Sequence, residues 1–361
     1  MDKKYMKIAI IGAGPAGLAC ALQCEKLGVI TDLFDSDSGV GWNWPSVILL
    51  LNVFEVPMGG DIRDYLRDNF KLDLQPLSNI DKLILKSPHE KAVIKGNLGY
   101  FYPRGKHENS LENQLRRLLK TTAIHLNRPA DYRELSKKYD YVVVATGNEA
   151  VAKNLGVWQE YGTVYIHSGL AAGEFDIRTQ SVYFNTAYAK QGYGRLTPIS
   201  NYQAVVDLYG IGMDPWEMDK KFQQFLETEG LSDLQMTFRM ILPPFSTGKI
   251  KKFQVDNIFL VGRAAGLTER LTGTGCVAAL SSGFLAAEAM IKEKSYADLV
   301  KPLQEHIENI SSFRKIYEKL NNEGLDKMVK LSSNPLIKFP LYNSPVSFMD
   351  ILGSALKRVV D

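Results

Sequence analysis

"KIAIIGAGPAGLACAL", residues 7–22, is the stretch that decides the fold. Lys7 to Ile11 has the apolar pattern of a short buried parallel strand, and Pro15 to Leu27 predicts a helix that Gly28 terminates. Gly12, Gly14 and Gly17 stand between and within them as G-x-G-x-x-G. A second strand, Ile30 to Phe34, ends on Asp35, so the order is strand, glycine turn, helix, strand, acid. The three glycines do different mechanical work. Gly12 permits the tight turn, Gly14 lets backbone approach a pyrophosphate, and Gly17 lets helix and strand pack closely. Ala13, Pro15 and Ala16 complete the turn, and the helix start offers free N–H groups and the positive end of its dipole to a phosphate. Asp35 can accept hydrogen bonds from both hydroxyls of a ribose and disfavours a 2'-phosphate. The unit predicts binding of an ADP half, which FAD and NAD share.

The whole chain is long enough for a large core: 361 residues, 45% hydrophobic and 23% charged. Its 43 basic and 40 acidic residues leave a formal charge of +3 spread over the length, which argues against a nucleic-acid partner. Cys20, Cys24 and Cys276 cannot pair off completely and show no metal-type spacing, and the five histidines are scattered, so no metal is expected and a reducing, cytoplasmic setting is. Pro15 and the glycines interrupt the first apolar run, so it is not a signal peptide. No stretch reaches the ~20 apolar residues of a membrane span.

Farther along, Asn109 with Glu112 predicts a capping box for a helix with Leu111, Leu115, Leu118 and Leu119 on one stripe. "TAIHL" and "YDYVVVATG" read as strands, the second running into Thr146 and Gly147. From Gly162 to about Ile211 tyrosine-rich alternation predicts an antiparallel sheet, and Asp214, Pro215 and Glu217 open a further helix. "NIFLVG" returns to a buried strand that enters Gly262. These elements predict an α/β protein: a Rossmann-like FAD-binding domain in residues 1–75, 101–160 and 253–294, an inserted, mainly antiparallel substrate sheet in 76–100 and 161–252, and a helical C-terminal region in 295–361. No second G-x-G-x-x-G unit holds a separate nicotinamide nucleotide, so the economical cofactor is FAD, reaching from Asp35 to the late glycines.

The G-A-G-P-A-G turn, the acidic strand end, A-T-G at 145–147 and "GRAAGLTERLTGTGCVAALSSGFLAAEA", residues 262–289, together resemble the p-hydroxybenzoate-hydroxylase-type flavoproteins, closest to their geranylgeranyl reductase-like branch. Gly262, Ala264, Ala265, Gly266, Gly273 and Gly275 match the late motif of that branch, which usually reads G-D-A-A-G, a proline, then G-x-G. Arg263 stands in place of its aspartate and Arg270 in place of its proline. The resemblance implies that Arg263 and Arg270 face pyrophosphate or a reduced flavin ring and that Arg104 meets the cofactor; independently of it, Cys276 opens a helix after Gly275, where the dipole would lower the thiol's pKa and the backbone N–H groups would steady an anionic flavin, the backbone role being the preferred one. "GYGRLTPIS" is similar to that branch's tyrosine, tryptophan, phenylalanine-proline substrate motif, with Tyr193 and Pro198 matching and Arg195 where tryptophan is usual. Tyr193 is therefore a substrate contact and the named proton-donor candidate, and Arg195 favours a substrate with an acidic or strongly polar head.

The resemblance implies an FAD-dependent oxidoreductase that reduces or forms a carbon–carbon double bond by hydride transfer at flavin N5. It acts on a small molecule with an apolar part, fed by NAD(P)H or an electron-transfer protein. A hydroxylase of the same fold and a flavin-binding module without turnover are the alternatives. The tail's "LIKFPLY" is placed to cover an apolar group or touch a membrane surface.

Overall fold

Ile8, Ala9, Ile10 and Ile11 are buried in succession, as a strand covered on both faces demands. The computed structural model describes residues 6–41, 47–57, 59–342 and 347–360; the lysine-bearing start and residues 343–346 of the proline-punctuated tail lie outside them. Strand β1 (Ile8–Ile11) leads into α1 (Pro15–Lys26), where Pro15 suits the first helical position and Gly28, at φ +82°, takes the chain out toward β2 (Thr31–Phe34). β3 (Val47–Leu51) and the short α2 (Asn52–Glu55) follow, then α3 (Ile62–Phe70), capped by the Asp61 carboxylate. β4 (Ser78–Lys86) and β5 (Lys91–Pro103) form a hairpin ahead of α4 (Leu111–Leu118). β6 (Ala123–His125), α5 (Tyr132–Ser136), β7 (Tyr141–Val144) and α6 (Ala150–Asn154) return to the first sheet.

The middle of the chain is β8 (Trp158–Ala172), β9 (Thr179–Tyr183), α7 (Thr186–Ala189), β10 (Tyr193–Pro198), β11 (Gln203–Ile211), α8 (Pro215–Thr228) and β12 (Gln235–Ile250). β13 (Gln254–Val255) and β14 (Ile258–Leu260) precede a 3-10 turn, Gly262–Ala265, and α9 (Cys276–Lys292). The rest is α10 (Tyr296–Ser312), α11 (Arg314–Tyr317), α12 (Asn322–Ser332), α13 (Pro335–Tyr342) and α14 (Phe348–Val360).

Two sheets result. The first runs β13-β14-β7-β1-β2-β6, parallel except for its β13 edge, with Ile8 opposite Thr31 on one side and Tyr141 on the other. The second runs β12-β8-β11-β10-β9-β4-β5-β3 and is antiparallel apart from the β4–β9 pair. Helix α8 covers one of its faces with Met218, Phe222, Phe225 and Leu226, while Val164, Ile166, Tyr209 and Phe245 gather on the other. The expected α/β class with an inserted, mainly antiparallel sheet and a helical tail is therefore the observed architecture.

Two expectations need correction. β3 falls in the stretch 1–75 given to the nucleotide-binding half but pairs with β5, Val47 opposite Pro103, and so edges the second sheet. The cap of α4 is Ser110, whose Oγ accepts from Asn113 N at 3.1 Å; Glu112 is buried and pairs with Arg104 instead of closing a box with Asn109.

Candidate active site

The three glycines of the first turn are there for three different reasons. Gly12 has φ +106°, and a Cβ on it would stand 2.4 Å from the Ala145 carbonyl oxygen. A Cβ on Gly17 would reach 2.0 Å from the Gly12 oxygen, so only glycine lets α1 lie this close to β1. A Cβ on Gly14 would meet nothing within 4 Å: it would fill open space over the start of α1, a helix with no side-chain cap. Asp35 stands beside this space, its Oδ2 accepting from Ala13 N at 2.6 Å and its Oδ1 from Asp37 N at 2.8 Å. Thr146 and Gly147 follow β7 at the same carboxyl edge, and a Cβ on Gly147, at φ +70°, would also meet nothing. Bare N–H groups, an acid and empty room thus lie together at one strand edge, the combination of groups that can receive an anionic ligand.

The late turn reaches that edge from β14. Gly262, at φ +59°, donates its N–H to Ser282 Oγ at 2.9 Å, and a Cβ there would stand 3.1 Å from that of Ala16 in α1. Beyond it, the Glu269 carboxylate accepts from the N–H groups of Leu271 (2.6 Å), Thr272 (3.0 Å) and Thr274 (2.9 Å) and so fixes the loop that carries Gly273 and Gly275. Arg263 packs its guanidinium 4.5 Å from the Phe245 ring centroid, with no carboxylate partner among the described residues. Burial, with the like charge of Arg104, pulls its pKa down to about 10. Two neighbouring cations, only one of them paired (Arg104 with Glu112), leave positive charge unmatched at this edge.

Cys276 does not behave as the helix dipole alone predicts. Burial pushes its thiol up to about 12, helped by the nearby Glu55 and Glu112 carboxyls, so it stays a neutral thiol. Glu55 is a further group here that sequence did not single out. It is 3% exposed, its Oε2 accepts from Val277 N at 2.9 Å in the first turn of α9, and its Oε1 has no partner among the described residues. Burial, with Glu269 adding like charge, raises its pKa to about 7.

In the second sheet, Tyr193 stacks on Tyr209 with centroids 4.6 Å apart, and its hydroxyl donates to the Thr272 carbonyl at 2.7 Å. One hydrogen bond thus ties the second sheet to the late turn. Both tyrosines line a cavity with Phe245, Gly273 and Arg270. Two expectations about this strand are corrected. Arg195 is not free to meet an acidic substrate head, because Asp207 lies directly opposite on β11 and takes both its Nε and an Nη at 2.7 Å. Pro198 shares the strand face of Gly194 and Leu196, which packs toward α8, away from Tyr193. His167, buried and stacked on Phe222 at 4.1 Å, is a core residue.

The family model described as Pyridine nucleotide-disulphide oxidoreductase matches residues 6–169, the part that holds the first glycine turn and β7. Over nearly the full chain, a digeranylgeranylglycerophospholipid reductase 3 of Methanosphaera stadtmanae is 23% identical, covering 96% of this chain and 97% of its own. A digeranylgeranylglycerophospholipid reductase of Methanocaldococcus jannaschii is 25% identical over 90% of this chain and 89% of its own. Among solved structures, a geranylgeranyl bacteriochlorophyll reductase-like protein of Thermoplasma acidophilum superposes with a TM-score of 0.72 at 16% identity, over 98% of this chain and 96% of that one.

Over nearly its full length the chain is similar to geranylgeranyl-type reductases, and its first part to a flavin- and nucleotide-binding oxidoreductase family.

The late turn carries two arginines, and its groups divide between two volumes. Arg263 sits with Arg104 near the nucleotide edge, whereas Arg270 lies over the Tyr161 ring at 4.2 Å and lines the tyrosine cavity. Glu269 had a legible signal, a carboxylate two, three and five residues before the N–H groups it binds; Glu55 had none, since only the fold brings α2 under α9.

Proposed function

We propose that the chain is an FAD-dependent reductase that adds hydrogen across a carbon–carbon double bond of a substrate with a long apolar part. The observation that carries this reading is the pair of glycine turns opening at one carboxyl edge of the first sheet, with the tyrosine cavity of the second sheet tied to the later turn through Tyr193. The full-length similarity to proteins named as geranylgeranyl-type reductases supports it.

The residues present fit FAD. Asp35 would hold the adenosine ribose; Gly12, Ala13, Gly14, Pro15, Ala16 and Gly17 would accommodate the pyrophosphate at the start of α1, with Arg104 and Arg263 supplying the opposing charge. Thr146 and Gly147 would lie beside the adenylate, and the N–H groups of Gly275 and Cys276, with Gly262 and Gly273 keeping the loop slim, would meet the flavin end. When bound, FAD supplies hydride chemistry; the protein supplies orientation and electrostatics. Tyr193 and Tyr209 give the substrate ring faces to lie against and exclude water. Burial holds the Tyr193 pKa well above its ordinary value, so the hydroxyl keeps its proton for hydrogen bonding.

Electrons come from an external donor, NAD(P)H or an electron-transfer protein, since one dinucleotide turn serves one cofactor. No helix among the described residues is long and apolar enough to cross a membrane. Leu331, Leu336 at 84% exposure and Ile351 stand out from α12, α13 and α14, which supports surface contact with a membrane that holds an apolar substrate. Mass analysis of the cofactor released on denaturation tests the reading: FAD is expected, and a colourless protein that binds NAD in preference to added FAD contradicts it.

A further inference from the structure

Glu55 closes α2, and the fold carries its carboxyl to the start of α9, where Oε2 accepts from Val277 N at 2.9 Å. The side chain is buried and Oε1 has no hydrogen-bond partner among the described residues, so a negative charge there keeps little of the solvation that water gave it. Charged groups reach it from the elements packed around it. On the late turn Glu269 adds like charge, although its own oxygens are taken by the N–H groups of Leu271, Thr272 and Thr274. On α9 the Cys276 thiol is neutral. On α10 His306 donates from Nε2 to the Phe54 carbonyl at 3.0 Å, and its Nδ1 meets the Asp350 carboxylate of α14 at 2.8 Å. Against burial, that contact keeps Asp350 below the ordinary carboxyl range, so both partners of the ring are acceptors and His306 is a cation. α13 brings Tyr342, which burial keeps protonated, and β5 meets α2 at its far end through Asn52 and the Asn97 carbonyl, with Asp61 beside them. Glu55 is thus held between one like and one opposite charge, satisfied at a single oxygen, at the helix start that would face the flavin end of FAD.

We propose that Glu55 is the proton acceptor coupled to reduction of the flavin: it is ionised beside the oxidised ring and takes a proton when the ring gains negative charge. Two electrons and one proton convert the neutral ring to its anionic reduced form, and a second proton converts the Glu55 carboxylate to the acid, forming an O–H bond at the unpartnered Oε1. The external donor, NAD(P)H or an electron-transfer protein, supplies the electrons, and solvent supplies the proton that Glu55 takes. The direction follows from electrostatics, since a new negative charge disfavours an ionised carboxylate nearby. By reciprocity a proton on Glu55 favours the reduced flavin to the same extent. Burial, with Glu269 adding like charge, already outweighs the Val277 N–H and His306 enough to bring the exchange near neutral pH. The proposal rests on the flavin reading of this helix start and is independent of which substrate is reduced.

The test compares holoprotein of wild type and Glu55→Gln in two measurements. The slope of the flavin midpoint potential against pH gives the protons taken up per electron pair, and near pH 8 wild type is expected to take up roughly one proton more than the variant. Infrared difference spectra, reduced minus oxidised, should show wild type gaining the carbonyl band of a protonated carboxyl at pH 8. That band should be missing from Glu55→Gln, and from wild type at pH 5, where Glu55 holds its proton in both states. Equal proton counts, or a band that survives the substitution, overturn the proposal while leaving the flavin reading in place. If Glu55→Gln does not fold, the wild-type spectra decide it, and a difference spectrum without a pH-dependent carboxyl band is the contrary result. Purified protein that neither carries nor takes up flavin sinks the cofactor reading and the proposal with it. An extra proton taken up by a protein that reduces no double bond sinks the reductase reading alone and leaves the role of Glu55 standing.

Discussion

The two glycine turns meet at one sheet edge and are built on opposite principles. The turn at residues 12–17 holds no charged side chain: its chemistry is backbone N–H, empty room over Gly14 and one acid, Asp35, brought in from the next strand. The turn at 262–275 carries Arg263 and Arg270 on a loop that Glu269 locks, and its helix start is met by a buried carboxyl, Glu55. The contrast separates two jobs. On the proposed reading, backbone geometry at the first turn admits the cofactor, while charged groups on the later turn set the energetics of what is held.

The sharpest break between the turns is expected at Gly17. Gly17→Val should cost about 3 kcal/mol or more of stability, because its Cβ would overlap the Gly12 carbonyl, and should show as loss of soluble, cooperatively melting protein. Gly14→Val, by contrast, should fold normally and lose FAD affinity roughly thousandfold, about 4 kcal/mol, seen by titrating the apoprotein with FAD. If both variants fold and bind, the first turn is not a cofactor cradle.

On the later turn, Glu55 gives a pH signature. Its pKa is raised in the folded protein, from 4.5 to about 7, so between those values the folded state keeps a proton that the unfolded chain gives up. Stability should therefore fall as pH rises through that window, by up to about 3 kcal/mol, and stay reduced above it. Denaturant melts of wild type and Glu55→Gln at pH 5 and pH 8 check this: the substitution should remove most of the drop, and identical profiles would show Glu55 to be uncoupled. Asp35→Ala should weaken FAD by about 1–3 kcal/mol through lost charge-assisted hydrogen bonds, and also loosen the first turn, since the carboxylate holds Ala13 N. The smallest effects belong to the arginines. Arg263→Asp and Arg270→Pro should lower the flavin midpoint potential by tens of millivolts, about 30 mV for each 1.4 kcal/mol in a two-electron couple, with the cofactor still bound. Unchanged potentials in a redox titration would mean that neither charge reaches the flavin.

The same contrast explains what the sequence disclosed. Local rules sufficed where function is carried by backbone: Gly12, Gly14 and Gly17 in order, Asp214 capping α8 through Glu217 N, and β1, β2 and β7 side by side. They failed where a side chain's meaning depends on a partner far along the chain. Arg195 reads as a free cation until Asp207 is set opposite it by the β10–β11 register. Cys276 reads as an activated thiol at a helix start until burial beside Glu55 and Glu112 is known. Arg314, in the helical tail, lines the tyrosine cavity only because α11 delivers it to walls made by β8, β10, β11 and the late turn. β3 joined the second sheet for the same reason, its partner β5 lying some fifty residues on, near Pro103.

The claim that both turns serve one flavin acting on an unsaturated substrate is tested most directly by a single turnover without oxygen. Photoreduced holoprotein is mixed with a polyprenyl substrate, the flavin absorbance is followed, and the product is weighed by mass spectrometry. The account predicts one flavin reoxidised for each double bond lost and a product heavier by two hydrogen atoms. Flavin that stays reduced beside the substrate, but reoxidises on admitting air and leaves a product heavier by one oxygen atom, would contradict it.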